Sequence, residues 1–219
     1  MGLIIDFFHT IASSVEAEYK EKNSKFLAFA FPIQSVNQLE EILTTVKSIH
    51  PKARHYCYAY RLGITDDNYR MNDDGEPSGT AGKPIYGQLL SFGITDTIVV
   101  VVRYFGGTKL GASGLITAYK EATKMALSEA EIIEKFISNL VILNFGYDQM
   151  GQILNDIKEL DIEIIDKVFE LDCIVVLSIR KSLLHDKLTL LKAKLLNKSI
   201  EEIHEDTIID FCEIEIVED

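Results

Sequence analysis

Residues 97–114 read TIVVVVRYFGGTKLGASG, and this stretch decides the fold. Ile98, Val99, Val100, Val101 and Val102 form an unbroken β-branched run. Such a run without polar alternation describes a strand shielded on both faces. Gly106, Gly107 and Gly111 then interrupt the chain. Beyond them, residues 112–130 return Leu115, Tyr119, Ala122 and Ala126 to one side of a helix, and the alanines permit close packing on a sheet. A glycine-rich turn from strand to helix presents backbone N–H groups at the positive end of a helix dipole, where phosphate or another anion can be held. Arg103 and Lys109 add charge there. Lys109 does not stand in Gly-x-x-x-x-Gly-Lys-[Ser/Thr], so this is not a P-loop, and the glycines do not follow the dinucleotide-binding pattern. The competing reading is a tight turn whose glycines serve helix packing alone.

Upstream lies a second glycine-rich stretch, Asp73-Asp74-Gly75-Glu76-Pro77-Ser78-Gly79-Thr80-Ala81-Gly82-Lys83-Pro84. It reads as an ordered loop entering a helix over residues 85–92, with Thr80 as candidate cap and Pro84 in the first turn. Asp73, Asp74 and Glu76 are candidates to hold a hard cation, but their spacing is not that of an EF-hand and predicts no tight metal site. The favoured reading of these acids is a solvated acidic turn.

Farther upstream, residues 26–33 and 56–62 read as strands. Val36, Leu39, Leu43, Val46 and Ile49 form a helical stripe that Pro51 ends. His55, beside Arg54, is a candidate base or anion contact, although a histidine in a strand is commonly structural. Tyr56, Tyr58, Tyr60, Tyr104 and Phe105 are candidate stacking surfaces or ordinary core residues. Ser78 and Ser113 lack a nucleophile-elbow context, so no serine hydrolase is expected.

Downstream the rhythm changes. Strands over 140–145, 162–169 and 173–179, helices over 150–160 and 183–196, and a short strand over 200–203 give the order βαββαβ, the ferredoxin-like pattern. Residues 208–217 add an expected edge strand. Composition marks the same division. Residues 1–135 hold 14 Lys and Arg against 16 Asp and Glu, net −2, whereas residues 136–219 hold 8 against 18, net −10, within a chain of net charge −12. Nine of the 13 glycines lie between Gly75 and Gly114. The expected class is α+β, with one domain over residues 1–135 and another over residues 136–219, joined near residues 131–138.

With 47% apolar and 26% charged residues in 219, the chain has the composition of a soluble globular protein. The apolar residues 3–8 contain Asp6 and follow no Lys or Arg, which argues against a signal peptide. Gly2 lacks the Ser or Thr a myristoylation signal wants. Cys57, Cys173 and Cys212 form no Cys-x-x-Cys pair, so neither a disulfide framework nor a zinc site is expected, and the compartment expected is the cytoplasm.

Asp74–Pro84 and Val101–Gly111, with Gly114, Leu115 and Tyr119, resemble the signature of the YigZ/IMPACT family. Ser24, Lys25, Phe26, Arg54 and His55 fit as well, and Ser113 departs by standing where the family often has glycine. The resemblance spans roughly residues 15–130. It implies a ribosomal-protein-like βαβ first domain, as in the fourth domain of elongation factor G, and a second domain similar to that factor's fifth. It further implies association with translation, which eukaryotic members regulate by competing for an activator of a stress kinase. It transfers no catalytic residue.

Together these readings predict a cytoplasmic, translation-associated regulator or RNA- or ribosome-binding protein, without catalytic centre, cofactor, metal or membrane attachment. A protein partner in translation control is a further expectation. The candidate anion or nucleic-acid site comprises Arg54, His55, Arg103, Gly106, Gly107, Lys109 and Gly111, beside the acidic loop of Asp73, Asp74 and Glu76. Two rival readings are an enzyme acting on a phosphorylated small molecule, with Mg²⁺ on the acidic loop, and a protein-docking module.

Overall fold

The computed structural model describes residues 6–217, apart from residues 66, 171 and 205. Gly2 and residues 3–5, on which the reading of the N-terminus rests, lie outside the described residues. The chain mixes helices and sheets in two units: residues 8–135 form one, and the chain from Phe136 onward forms the other together with Asp6 and Phe7. Among the described residues no helix is long and apolar enough to cross a membrane.

Along the chain β1 (Phe7–Ile11) precedes β2 (Val15–Glu21) and β3 (Ser24–Pro32), and α1 (Gln38–Ile49) leads to β4 (His55–Arg61) and β5 (Tyr69–Asn72). Then come α2 (Gly82–Ser91), β6 (Thr97–Tyr104), α3 (Gly111–Ser128) and β7 (Ile132–Phe136). Five strands form one sheet in the order β2-β3-β6-β4-β5, and β1 pairs with β7 in a separate ribbon. β6 runs antiparallel to both of its neighbours, so β3 and β4 are parallel to each other, joined by α1 and separated by β6. The alternation along β6 assigns its side chains to two cores. Val99 and Val101 pack with Phe26, Ala28, Cys57, Ile85 and Tyr119 beneath α2 and α3. Ile98, Val100 and Val102 pack with Tyr58, Tyr60 and Val46 beneath α1. Burial on both faces, as the valine run predicts, is thus achieved within an antiparallel sheet.

The second unit is β8 (Ser138–Phe145), α4 (Met150–Glu159), β9 (Glu163–Phe169), β10 (Cys173–Arg180), α5 (Leu184–Leu196) and β11 (Cys212–Val217). Its four strands are antiparallel in the order β11-β8-β10-β9. Val141, Leu143, Val175 and Leu177 on one face of the sheet meet Ile153 and Ile157 of α4 and Leu188, Leu191 and Leu195 of α5. Residues 200–203, expected as a strand, instead open with a 3-10 turn, Ile200–Glu202. The reason is local. Ser199 and Glu202 form a capping box, in which the Glu202 carboxylate accepts the Ser199 backbone N–H at 3.0 Å. The fourth strand is β11.

Asp6 belongs with this unit for a physical reason. Its carboxylate accepts two hydrogen bonds from Arg180, at 2.6 and 2.8 Å, and the Ser182 N–H at 3.0 Å. The Arg180 guanidinium also lies 3.8 Å from the centre of the Phe136 ring. Composition alone had placed Asp6 in the first domain.

Candidate nucleic-acid interface

The acidic loop is wired into the fold by its own carboxylates. Asp73 accepts the N–H groups of Gly79 at 2.8 Å, Ala81 at 3.0 Å and Gly82 at 2.8 Å. A side chain nine residues upstream therefore satisfies donors at the start of α2. Thr80, the expected cap, instead donates its hydroxyl to the Pro77 carbonyl at 2.6 Å. Asp74 accepts the Tyr56 N–H at 2.7 Å. Its carbonyl lies 2.9 Å from His55 Nδ1, so that nitrogen carries the proton. Glu76 accepts from Arg103 Nη1 at 2.7 Å and from the Tyr119 hydroxyl at 2.9 Å. The three acids point to a helix start, a strand and a buried arginine. Among the described residues no group of three His, Cys, Asp or Glu side chains is placed to hold a metal ion.

Arg103 is consequently not a free surface cation. It is 7% exposed, ion-paired with Glu76, and its guanidinium carbon lies 5.5 Å from the Phe26 ring centre and 5.6 Å from that of Phe105. Its Nε has no hydrogen-bond partner among the described residues. Cys57 Sγ lies 2.9 Å from the Asp73 carbonyl and 3.3 Å from the Tyr119 hydroxyl. Burial pushes the Cys57 thiol up to about 12 and raises the Tyr119 phenol well above its ordinary range. Both stay neutral and serve as hydrogen-bonding groups, not nucleophiles.

The glycine turn after β6 is held as tightly. Gly106 donates its N–H to Ser24 Oγ at 3.1 Å, and a Cβ there would stand 2.0 Å from the Asn23 carbonyl carbon. Gly107 has φ +88° with open space around it. Gly111 is the first residue of α3, and Lys109 is exposed on the turn.

The residues expected at one site divide accordingly. Arg54, His55 and Arg103 come together, with Lys52, Tyr104 and Phe105, around a hollow of about 340 Å³. Gly106, Gly107, Lys109 and Gly111 do not line it. Strand register accounts for the grouping: His55 on β4 stands opposite Arg103 on β6. Glu76 neutralises Arg103, so the free positive charge of the hollow comes from Lys52 and Arg54 at its rim. Phe105 adds an aromatic face 59% exposed. Lys52 escaped the sequence reading. Its spacing from Arg54 across the turn into β4 was visible, but its proximity to Phe105 depends on the pairing of β4 with β6.

The comparisons with known proteins concern the same segment. The family profile described as the Impact N-terminal domain matches residues 22–127, which include both glycine-rich stretches and every residue of the hollow. Over 152 residues the chain is 35% identical to the IMPACT family member YvyE of Bacillus subtilis, covering 69% of this chain and 70% of that one. The chain belongs to the IMPACT family. A second member, YigZ of Escherichia coli, is 34% identical over 161 residues, 73% of this chain and 79% of that relative. A solved crystal structure of a protein described only as hypothetical superimposes with a TM-score of 0.69 at 28% identity, covering 93% of this chain and all of that one. The hollow and its supporting ion pair thus lie within the part of the chain that defines the IMPACT family.

Proposed function

We propose that this IMPACT-family protein is a translation-associated regulator that binds RNA or the ribosome through the hollow between Lys52 and Phe105, without a catalytic centre. The observation that carries the reading is the gathering of Lys52, Arg54 and His55 beside Tyr104 and the exposed Phe105, in a chain whose net charge is −12. Cations at the rim match phosphate oxygens, and an exposed aromatic face receives a base with little regard to sequence. Kinship with the IMPACT family supports the link to translation, and action in translation implies a cytoplasmic site. The arrangement of β3, α1 and β4 around β6 supports a ribosomal-protein-like first domain, and the order β11-β8-β10-β9 supports a ferredoxin-like second. The enzyme reading loses its footing, because the acids assigned to Mg²⁺ accept hydrogen bonds from the fold itself.

The test is binding of a single-stranded RNA oligonucleotide, and of ribosomes, over a salt series. Lys52→Ala and Arg54→Ala are each expected to weaken binding and to lower the salt slope by about 0.7 per lost phosphate contact. Phe105→Ala is expected to weaken binding with the slope unchanged. Arg103→Ala is a poor probe, because it strands Glu76. Unchanged affinity and slope in both cationic variants would remove this reading.

A further inference from the structure

The two edges of the second sheet are built differently. At β9 the edge is interrupted: Val176 of β10 pairs with Asp166, but Leu177 pairs with Ile164, so Ile165 is an extra residue in a bulge. Lys167 lies on the same strand. A bulge and a lysine both blunt an edge against further pairing. At the other edge β11 pairs with β8 in unbroken register, from Cys212↔Phe145 to Val217↔Leu140. It contains no Pro or Lys, and among the described residues no strand pairs with its outer side.

Two hollows lie along this edge, against α5. One, of about 340 Å³, has Leu184, Leu188 and Ile216 in its lining, and the other, of about 460 Å³, has Ile208, Ile209, Ile214 and Glu213; Lys192 lines both. Ile216 is 43% exposed and Ile208 80%, so large apolar side chains stand open beside unpaired backbone. Along β11 Ile214 and Ile216 line the hollows, and they alternate with the exposed Glu213 and Glu215, of which Glu213 also borders the larger hollow.

We propose that the outer edge of β11 receives an extended segment of a partner protein in which basic and apolar residues alternate. A strand added there completes its hydrogen bonds with the β11 backbone. Its alternate side chains fall beside Glu213 and Glu215, where Lys or Arg is the complement. The intervening ones fall beside Ile214 and Ile216, where apolar side chains cover the hollows. The net charge of −10 over residues 136–219 attracts such a segment from a distance. Pairing two copies antiparallel about Ile214 sets Glu213 against Glu215, which disfavours a second copy of this chain in that register.

The experiment titrates the full chain with a peptide of four Lys-Val repeats, read by amide chemical shifts and hydrogen exchange. Shifts and new protection are expected at Glu213–Val217 and along the facing side of α5. Methylating alternate backbone nitrogens of the peptide is expected to abolish binding, which simple charge attraction would survive. Glu213→Lys combined with Glu215→Lys is expected to weaken the peptide about tenfold and to admit a Glu-Val repeat that the unaltered chain rejects. Failure of the Lys-Val peptide to bind, binding indifferent to N-methylation, or peptide-free dimerisation through β11 would each overturn the proposal.

Discussion

Glu76 is the residue at which the two glycine-rich stretches meet, through Arg103 on one side and Tyr119 on the other. A buried ion pair broken from one side leaves an uncompensated charge. Arg103→Ala and Glu76→Ala are each expected to cost about 3–5 kcal/mol in urea denaturation. The double variant is expected to fall short of the sum, since removing both partners leaves no orphan charge; strict additivity would show that the pair is not coupled. The neighbouring glycines separate sharply. Gly106→Ala drives a methyl group into the Asn23 backbone and is expected to prevent folding, whereas Gly107→Ala meets open space and is expected to cost about 1–2 kcal/mol for its left-handed backbone. Soluble expression and thermal melting distinguish the two. Sequence identified Arg103, Glu76 and both glycines as special but not what they do. Arg103 read as a surface cation because its partner lies 27 positions away, across a pairing that no local pattern encodes.

At the scale of elements, Asp73 is the test of how α2 begins. Asp73→Ala strips the acceptor from three N–H groups and is expected to cost about 1–2 kcal/mol, with Asn restoring part of it. Thr80→Ala is expected to cost less, and the reverse order in chemical denaturation would reassign the cap to Thr80. The helices and central strands were legible because their apolar periodicity is strong. α1, α3, α4 and α5 follow their stripes, and β6 its valine run. β2 was missed because VEAEYKE offers only half-buried Val15, Ala17 and Tyr19 between charges. β5 was missed because Tyr69, Arg70 and Met71 are all exposed. Over residues 200–203 two isoleucines suggested a strand, while the Ser199 and Glu202 box that governs the segment was equally present in the sequence. Local capping chemistry outweighed the apolar pattern there.

For the whole molecule, Asp6 gives stability a pH dependence. Hydrogen bonds from Arg180, then from Ser182, hold its carboxyl far below the usual carboxylate range. A group depressed in the folded state stabilises fully above its unfolded value, about 4, and loses that contribution as pH falls below it. Asp6→Asn is therefore expected to destabilise the chain near neutral pH, with the gap to the unaltered protein closing toward pH 2; a gap independent of pH would show that the carboxylate charge is not what matters. The placement of β6 has a consequence in time. It is synthesised after β3 and β4, yet it lies between them and supplies both with their pairing. A nascent chain that has not reached Tyr104 holds the segments of two hairpins, β2–β3 and β4–β5, linked by α1 but without the strand that pairs with both. Closure of the first unit is thus timed by the ribosome's passage through one valine-rich stretch. Truncation ahead of Thr97 is expected to leave those hairpins without hydrogen-exchange protection, while extension through α3 restores it in a single step.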